Sequence, residues 1–293
     1  MPHPHRIRSD WDARVFIEGV GDAERRLEVT PTIAGWRFLS FRTYTFRAGQ
    51  VIDGESAADE MCMVLLSGAV TMEVAGPGWR ETWECAGRAR VEDGPPFAVY
   101  LPPGHTYRLT VRTDADCAYG RAPATGACPP RLITPGDLST QREATAGNTV
   151  GPVSRTRILN PGDAEHLLCL ETRIPAEAWA FRPPPRSDPA ALPTEVAEPY
   201  REAVSYFRMR PETGWAMQRL SSDDGALDET LTLRHGDATI VRRGHHPVVA
   251  APGTDVYALT FFASPTPAWP EDCGRAARQE RTTPDSNSSM NSE

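Results

Sequence analysis

Apolar residues in this chain come in short runs, and most runs stop at a glycine or proline turn. In the first half the runs are Trp36–Phe41, Met61–Leu66 and Ala69–Val74, with Ser67-Gly68 between the last two. Short runs bounded by turn residues predict antiparallel strands, here with a hairpin at Ser67-Gly68. A Val-Tyr-Leu run then stops at Pro102-Pro103-Gly104-His105, and Tyr107–Val111 alternates apolar with polar residues. The second half repeats this phrase. An apolar run stops at Arg242-Arg243-Gly244-His245-His246-Pro247, a second run follows, and Ala251-Pro252-Gly253 leads into a third run rich in Val, Tyr, Leu and Phe. Two copies about 140 residues apart predict a duplicated β-barrel. The stretch between them is rich in Pro, Gly and Thr and reads as a connection, and helix-period patterns are sparse. The expected organisation is an extension at 1–27, a first barrel at 28–125, a connection at 126–152, a second barrel at 153–270 and a disordered polar tail at 271–293.

Composition narrows the function classes. With 40% hydrophobic and 24% charged residues, the 293-residue chain has the make-up of an ordinary globular protein and can bury a large core. A net charge of −8 argues against a nucleic-acid partner. No apolar stretch reaches membrane-spanning length, and the N-terminus lacks an apolar signal core, so no membrane partner and a cytoplasmic location are expected. All 31 basic Lys+Arg residues are arginine, which removes Schiff-base catalysis and a P-loop lysine. The six cysteines lack CxxC spacing and read as reduced thiols.

The phrase around Gly236-Asp237 and Gly244-His245-His246-Pro247 resembles the second conserved motif of cupin barrels, which supplies one histidine to a metal site; His246 holds that place. Further matches lie in order from about residue 28 to 270: VTPTIAGWRFLSF, VLLSGAVTMEVAG, GPPFAVYLPPG, LLCLETRIPAEAW, RPETGWAMQRL and RRGHHPVVAAPG. On these the chain resembles the bacterial 5-deoxy-glucuronate isomerase family of inositol catabolism. That resemblance implies an all-β bicupin: two tandem antiparallel jelly-roll barrels. It also implies a divalent metal in the C-terminal barrel, held by three histidines and one glutamate. The chain departs from that ligand set. Two histidine places fall on Pro185 and Ser187, and the glutamate place falls on Ala203. Neighbouring Glu202 should face away from the pocket, because adjacent strand residues point to opposite sides. Only His246 remains, so neither a metal nor another cofactor is expected.

Strand parity with the lost ligands predicts a pocket lined by Trp179, Phe181 and Pro183 on one strand and by Ala203, Ser205 and Phe207 on the next. The family carries Tyr where Ser205 stands and often His where Phe207 stands. The lining has therefore lost polar groups, which suits a larger, less polar ligand or a pocket that filled after losing function. His246 is either an acid–base group or a histidine that hydrogen-bonds a strand end. Gln218 and Arg219 keep the family's Gln-Arg step; Arg219 either clamps a substrate carboxylate or pairs with Asp228 or Glu229. His245, Arg182, Arg186 and the Asp223-Asp224 pair are expected at the surface, and His105 as structural. The catalytic candidates are thus His246 and Arg219, and the substrate-binding candidates Trp179, Phe181, Ser205, Phe207 and Gln218. The expected function is a metal-independent small-molecule enzyme, catalysing an isomerisation, cyclisation or elimination in specialised metabolism. The alternatives are 5-deoxy-glucuronate isomerisation itself and a non-catalytic ligand-binding bicupin. An exposed barrel edge makes a homodimer the expected assembly.

Overall fold

The computed structural model describes residues 6–7, 13–14, 24–143, 151–180, 202–221, 225, 227–241 and 245–267. They form two antiparallel jelly-roll barrels in tandem, each a seven-stranded sheet facing a four-stranded one. In the first barrel the large sheet runs, in spatial order, Arg131–Ile133, Ala98–Leu101, Asp59–Ser67, Ala115–Pro123, Ser40–Phe46, Glu24–Val29 and Ala13–Arg14. The small sheet runs Val51–Glu55, Thr106–Val111, Val70–Gly76 and Trp79–Cys85. The second barrel repeats this plan with Arg6–Ile7, Ala238–Val241, Glu202–Arg210, Asp255–Ala263, Leu167–Ile174, Val153–Leu159 and Thr140–Glu143, faced by Trp179–Ala180, Val248–Ala250, Trp215–Ser221 and Asp228–Arg234.

Element boundaries differ from the expected organisation at two places. The stretch 1–27 supplies edge strands to both barrels, Arg6–Ile7 to the second and Ala13–Arg14 to the first. Within 126–152, Arg131–Ile133 pairs with the first barrel and Thr140–Glu143 with the second. The turn at Gly68 is glycine-dependent: its φ is 84°, and a Cβ there would sit 2.2 Å from the Asp114 carbonyl oxygen. Among the described residues no helix is long and apolar enough to cross a membrane.

Strand alternation divides the apolar residues into three cores. Met61, Met63 and Leu65 face the interior of the first barrel with Phe46 and Met72. Cys62, Val64 and Leu66, on the opposite face of the same strand, pack with Phe41 against Cys169, Val204, Leu259 and Phe261 of the second barrel. Ala203, Phe207, Ala216 and Val248 face the interior of the second barrel. Because Asp59–Ser67 is buried on both faces, it reads as a continuous apolar run. At the barrel–barrel core Gly120 lies under Phe261, with room for no side chain; a Cβ would come within 2.2 Å of the ring. The same interface buries Arg88, whose guanidinium pairs with Glu171 and donates to the carbonyls of Leu66 and Val91.

Candidate functional site

A cavity of about 130 Å³ lies inside the second barrel. Glu202–Arg210 forms one wall. Ala203, Ser205 and Phe207 turn to the interior, while Val204 and Tyr206 turn to the barrel–barrel core. Ser205 is 5% exposed, and its hydroxyl is 2.8 Å from that of Thr260. On Trp215–Ser221 the burial pattern alternates, with Ala216, Gln218 and Leu220 inward and Trp215, Met217 and Arg219 outward. Gln218 is 1% exposed; its Nε2 donates to the His246 carbonyl at 3.2 Å, and its Oε1 accepts no hydrogen bond among the described residues. His246 and Val248 close the opposite side, and Phe207 and Phe262 make the apolar wall.

The structure brings Ser205, Phe207, Gln218 and His246 to this cavity and leaves two candidates outside it. Trp179 is 50% exposed; its neighbour Ala180 lines the cavity instead. Parity counted back from Pro185 and Ser187 runs through residues outside the described ones, whereas at Trp179–Ala180 the phase is set by pairing with Val249 and Val248. Arg219 lies on the outer face in an exposed ion pair with Asp228 at 3.0 Å. The Gln-Arg step puts only the glutamine inside, because successive residues face opposite ways. Phe181, Pro183, Pro185, Ser187, Arg182, Arg186, Asp223 and Asp224 lie outside the described residues. His245 is half-buried and bridges Ser221 through the backbone, whereas His105 is buried, its Nδ1 3.1 Å from the Pro103 carbonyl oxygen.

Sequence reasoning missed the cation of this cavity, Arg155. It shares parity with interior-facing Val153, lines the cavity and pairs with Glu143 on the neighbouring strand. The signal available was Val153-Ser154-Arg155, an alternation that a half-solvated strand would show equally well. Thr172 and Thr260, also in the lining, were missed for the same reason.

The described lining does not fit a transition metal. At the glutamate place the Ala203 side chain offers no donor atom. Glu202 is fully buried on the other face, where its carboxylate accepts the backbone N–H groups of Arg37, Phe38 and Leu39 at 2.6, 3.0 and 2.6 Å. His246 is the only nitrogen ligand among the described lining residues, and no group of three His, Cys, Asp or Glu residues is disposed to hold an ion among the described residues.

A profile of the KduI/IolB family matches residues 17–275. The 5-deoxy-glucuronate isomerase of Geobacillus thermodenitrificans is 34% identical over 245 residues, covering 83% of this chain and 86% of the relative. That of Bacillus subtilis strain 168 is 28% identical over 248 residues, covering 83% and 87%. Among solved structures, an IolB-like protein from Salmonella typhimurium LT2 superposes with a TM-score of 0.78 at 27% identity, over 90% of this chain and 94% of that one. Lactobacillus farciminis oxalate decarboxylase superposes with a TM-score of 0.64 at 10% identity over 89% and 86%, a likeness of fold alone; with the IolB-like structure it agrees with the bicupin fold of two tandem jelly-roll barrels. The extent of the profile match and the 34% identity place the chain, by descent, among enzymes named as isomerases: it belongs to the KduI/IolB family.

Proposed function

We propose that the second barrel is the active site of an isomerase that moves a proton on a small hydroxylated carboxylic acid without a bound transition metal. The observation that carries this reading is the set of groups sharing the cavity: the His246 imidazole, the unmatched Gln218 Oε1 and the Ser205–Thr260 hydroxyl pair. In that pair one hydroxyl donates to the other, which keeps its own proton for a ligand. A substrate carboxylate faces Arg155, and a substrate hydroxyl donates to Gln218 Oε1. His246 takes a proton from the hydroxyl-bearing carbon beside the carbonyl and returns it to the former carbonyl carbon, while the hydroxyl proton passes to the former carbonyl oxygen, so the carbonyl moves by one carbon and formula and charge are unchanged. The spare hydroxyl proton of the Ser205–Thr260 pair stabilises the oxygen that becomes negative between the two transfers.

Isomerisation is favoured over cyclisation or elimination because the similar relatives are named isomerases. The altered ligand places support a substrate other than 5-deoxy-glucuronate, as recruitment to specialised metabolism would require. The second reading, turnover of 5-deoxy-glucuronate itself, is favoured by the 34% identity to relatives of that name. The test is proton-exchange NMR in heavy water with a panel of sugar acids and hydroxy acids that includes 5-deoxy-glucuronate. The proposal expects one panel acid other than 5-deoxy-glucuronate to exchange and isomerise, and His246→Ala to lower that turnover by roughly 100- to 10,000-fold. Turnover of 5-deoxy-glucuronate at about 1–1000 per second would establish the second reading instead. Stoichiometric binding with no exchange by any panel acid would make the protein a binder.

A further inference from the structure

The first barrel encloses a cavity of about 350 Å³, larger than the one in the second barrel and within the range of small-molecule sites. The repeat fixes which positions correspond. Met63 pairs with Tyr119, which pairs with Arg42; in the second barrel Ser205 pairs with Thr260, which pairs with Leu170. By the same register Arg121 corresponds to Phe262 and Tyr44 to Thr172. The first barrel therefore carries two arginines and two tyrosines where the second has Leu170, Phe262, Thr172 and Thr260.

Arg42 and Arg121 are diagonal neighbours on one face of an antiparallel pair, because Arg42 is opposite Tyr119 and Arg121 opposite Ser40. That relation separates their Cα atoms by about 7–8 Å, a span over which two long side chains reach one carboxylate. Each guanidinium is steadied from behind: Arg42 Nε donates to Glu28 at 2.7 Å, and Arg121 donates to the Ser56 carbonyl with its Nε 3.2 Å from Asp59. A guanidinium has five N–H groups, so each keeps donors for a ligand. Tyr107 also lines the cavity; Tyr119 donates to Tyr107, which keeps its own proton for a ligand. Burial raises the Tyr107 pKa to about 12 and the Tyr119 pKa well above the usual value, so both remain protonated at neutral pH. Of the acids at the rim, Asp53 is engaged by Arg108 at 2.8 and 3.0 Å. Deeper in, the wall is apolar: Phe46, Ile52 and Met61 are all but fully buried.

We infer that the first barrel is a second binding site, which takes a small amphipathic carboxylate with its charged end on Arg42 and Arg121 and its apolar body on Phe46, Ile52 and Met61. This assignment is independent of the chemistry in the second barrel.

The test is calorimetric titration of the full chain with benzoate and with benzamide, which has nearly the same shape without the charge. Benzoate is expected to bind at one site per chain with a dissociation constant of about 10 mM or tighter, and benzamide about tenfold or more weakly. Arg42→Gln should weaken benzoate by about tenfold or more, and His246→Ala should leave it unchanged. If Arg42→Gln lowers the melting temperature appreciably, Tyr107→Phe, which keeps the ring and removes one donor, serves in its place and should also weaken benzoate. Absence of benzoate binding, equal binding of benzamide, or loss of binding in His246→Ala rather than in the first-barrel variants would overturn the inference.

Discussion

Glu60 and Glu202 do the same work from opposite barrels. The Glu60 carboxylate accepts the backbone N–H groups of Glu165, His166 and Leu167, each at 2.8 Å, and Glu202 accepts those of Arg37, Phe38 and Leu39. Each acid sits at the start of a strand of one barrel and ties down the entry to a strand of the other. Both are fully buried, so each charge is matched by donors rather than by solvent.

Glu202→Ala should therefore destabilise the protein by about 3–5 kcal/mol, because three backbone donors lose a charged acceptor in a buried site. Chemical denaturation measures the loss. An effect under about 0.5 kcal/mol, the range of a plain surface change, would contradict the geometry.

Acid should expose a second carboxylate device. The Glu165 carboxylate takes the backbone N–H groups of Thr125, Gly126 and Ala127 and the Thr125 hydroxyl. Slight burial raises its pKa, but these hydrogen bonds, Thr125's foremost, outweigh that and hold it at about 2 against an ordinary 4.5. A folded-state pKa below the unfolded one contributes stability above pH 4.5 and loses it as pH falls toward 2. The stability gap between the parent and Glu165→Gln should be widest near neutrality and close over that window. A gap that widens in acid would reverse the sign.

Arg155 and Arg219 should respond differently to substitution. Arg155→Gln should raise KM for the substrate of the second barrel by about tenfold, since it removes the cation facing the cavity. Arg219→Ala removes only an exposed pair and should change stability by less than about 1 kcal/mol and KM not at all. Steady-state kinetics separates the two; a KM effect confined to Arg219 would place the cation on the wrong strand.

Metal should be irrelevant to turnover in the second barrel. Dialysis against a chelator, then addition of zinc or manganese, should leave kcat unchanged, because Ala203 offers no donor atom, Glu202 is turned to the other face, and His246 is the only nitrogen ligand among the described lining residues. Loss of activity on chelation with recovery on one metal would refute the metal-free reading.

The fold was legible because turn residues mark the ends of the strands. Gly68 is needed where backbone crowds it, and the sequence steps Gly104-His105 and Gly244-His245 each follow a corresponding strand, Ala98–Leu101 and Ala238–Val241. The inner face of Glu202–Arg210 was legible too, since strand alternation from the ligand place at Ala203 puts Ser205 and Phe207 on the same side. The phase of Trp179 was not, because the count ran back through three prolines, whereas the pairing of Trp179 and Ala180 with Val249 and Val248 fixes it. Arg155 was hidden for a different reason. Its partner Glu143 is on a neighbouring strand, and no local pattern tells an inward arginine with a distant acid from a solvated one.

The apolar seam between the barrels also constrains how the chain can be made. Phe41, Cys62, Val64 and Leu66 face outward from the first barrel into a cluster that Cys169, Val204, Leu259 and Phe261 of the second complete. While the ribosome is still adding the strands beyond Thr140, the half already synthesised has a greasy back with nothing to lie against. Either barrel expressed alone would carry that surface into solution and associate through it. The two copies of the barrel share one core between them.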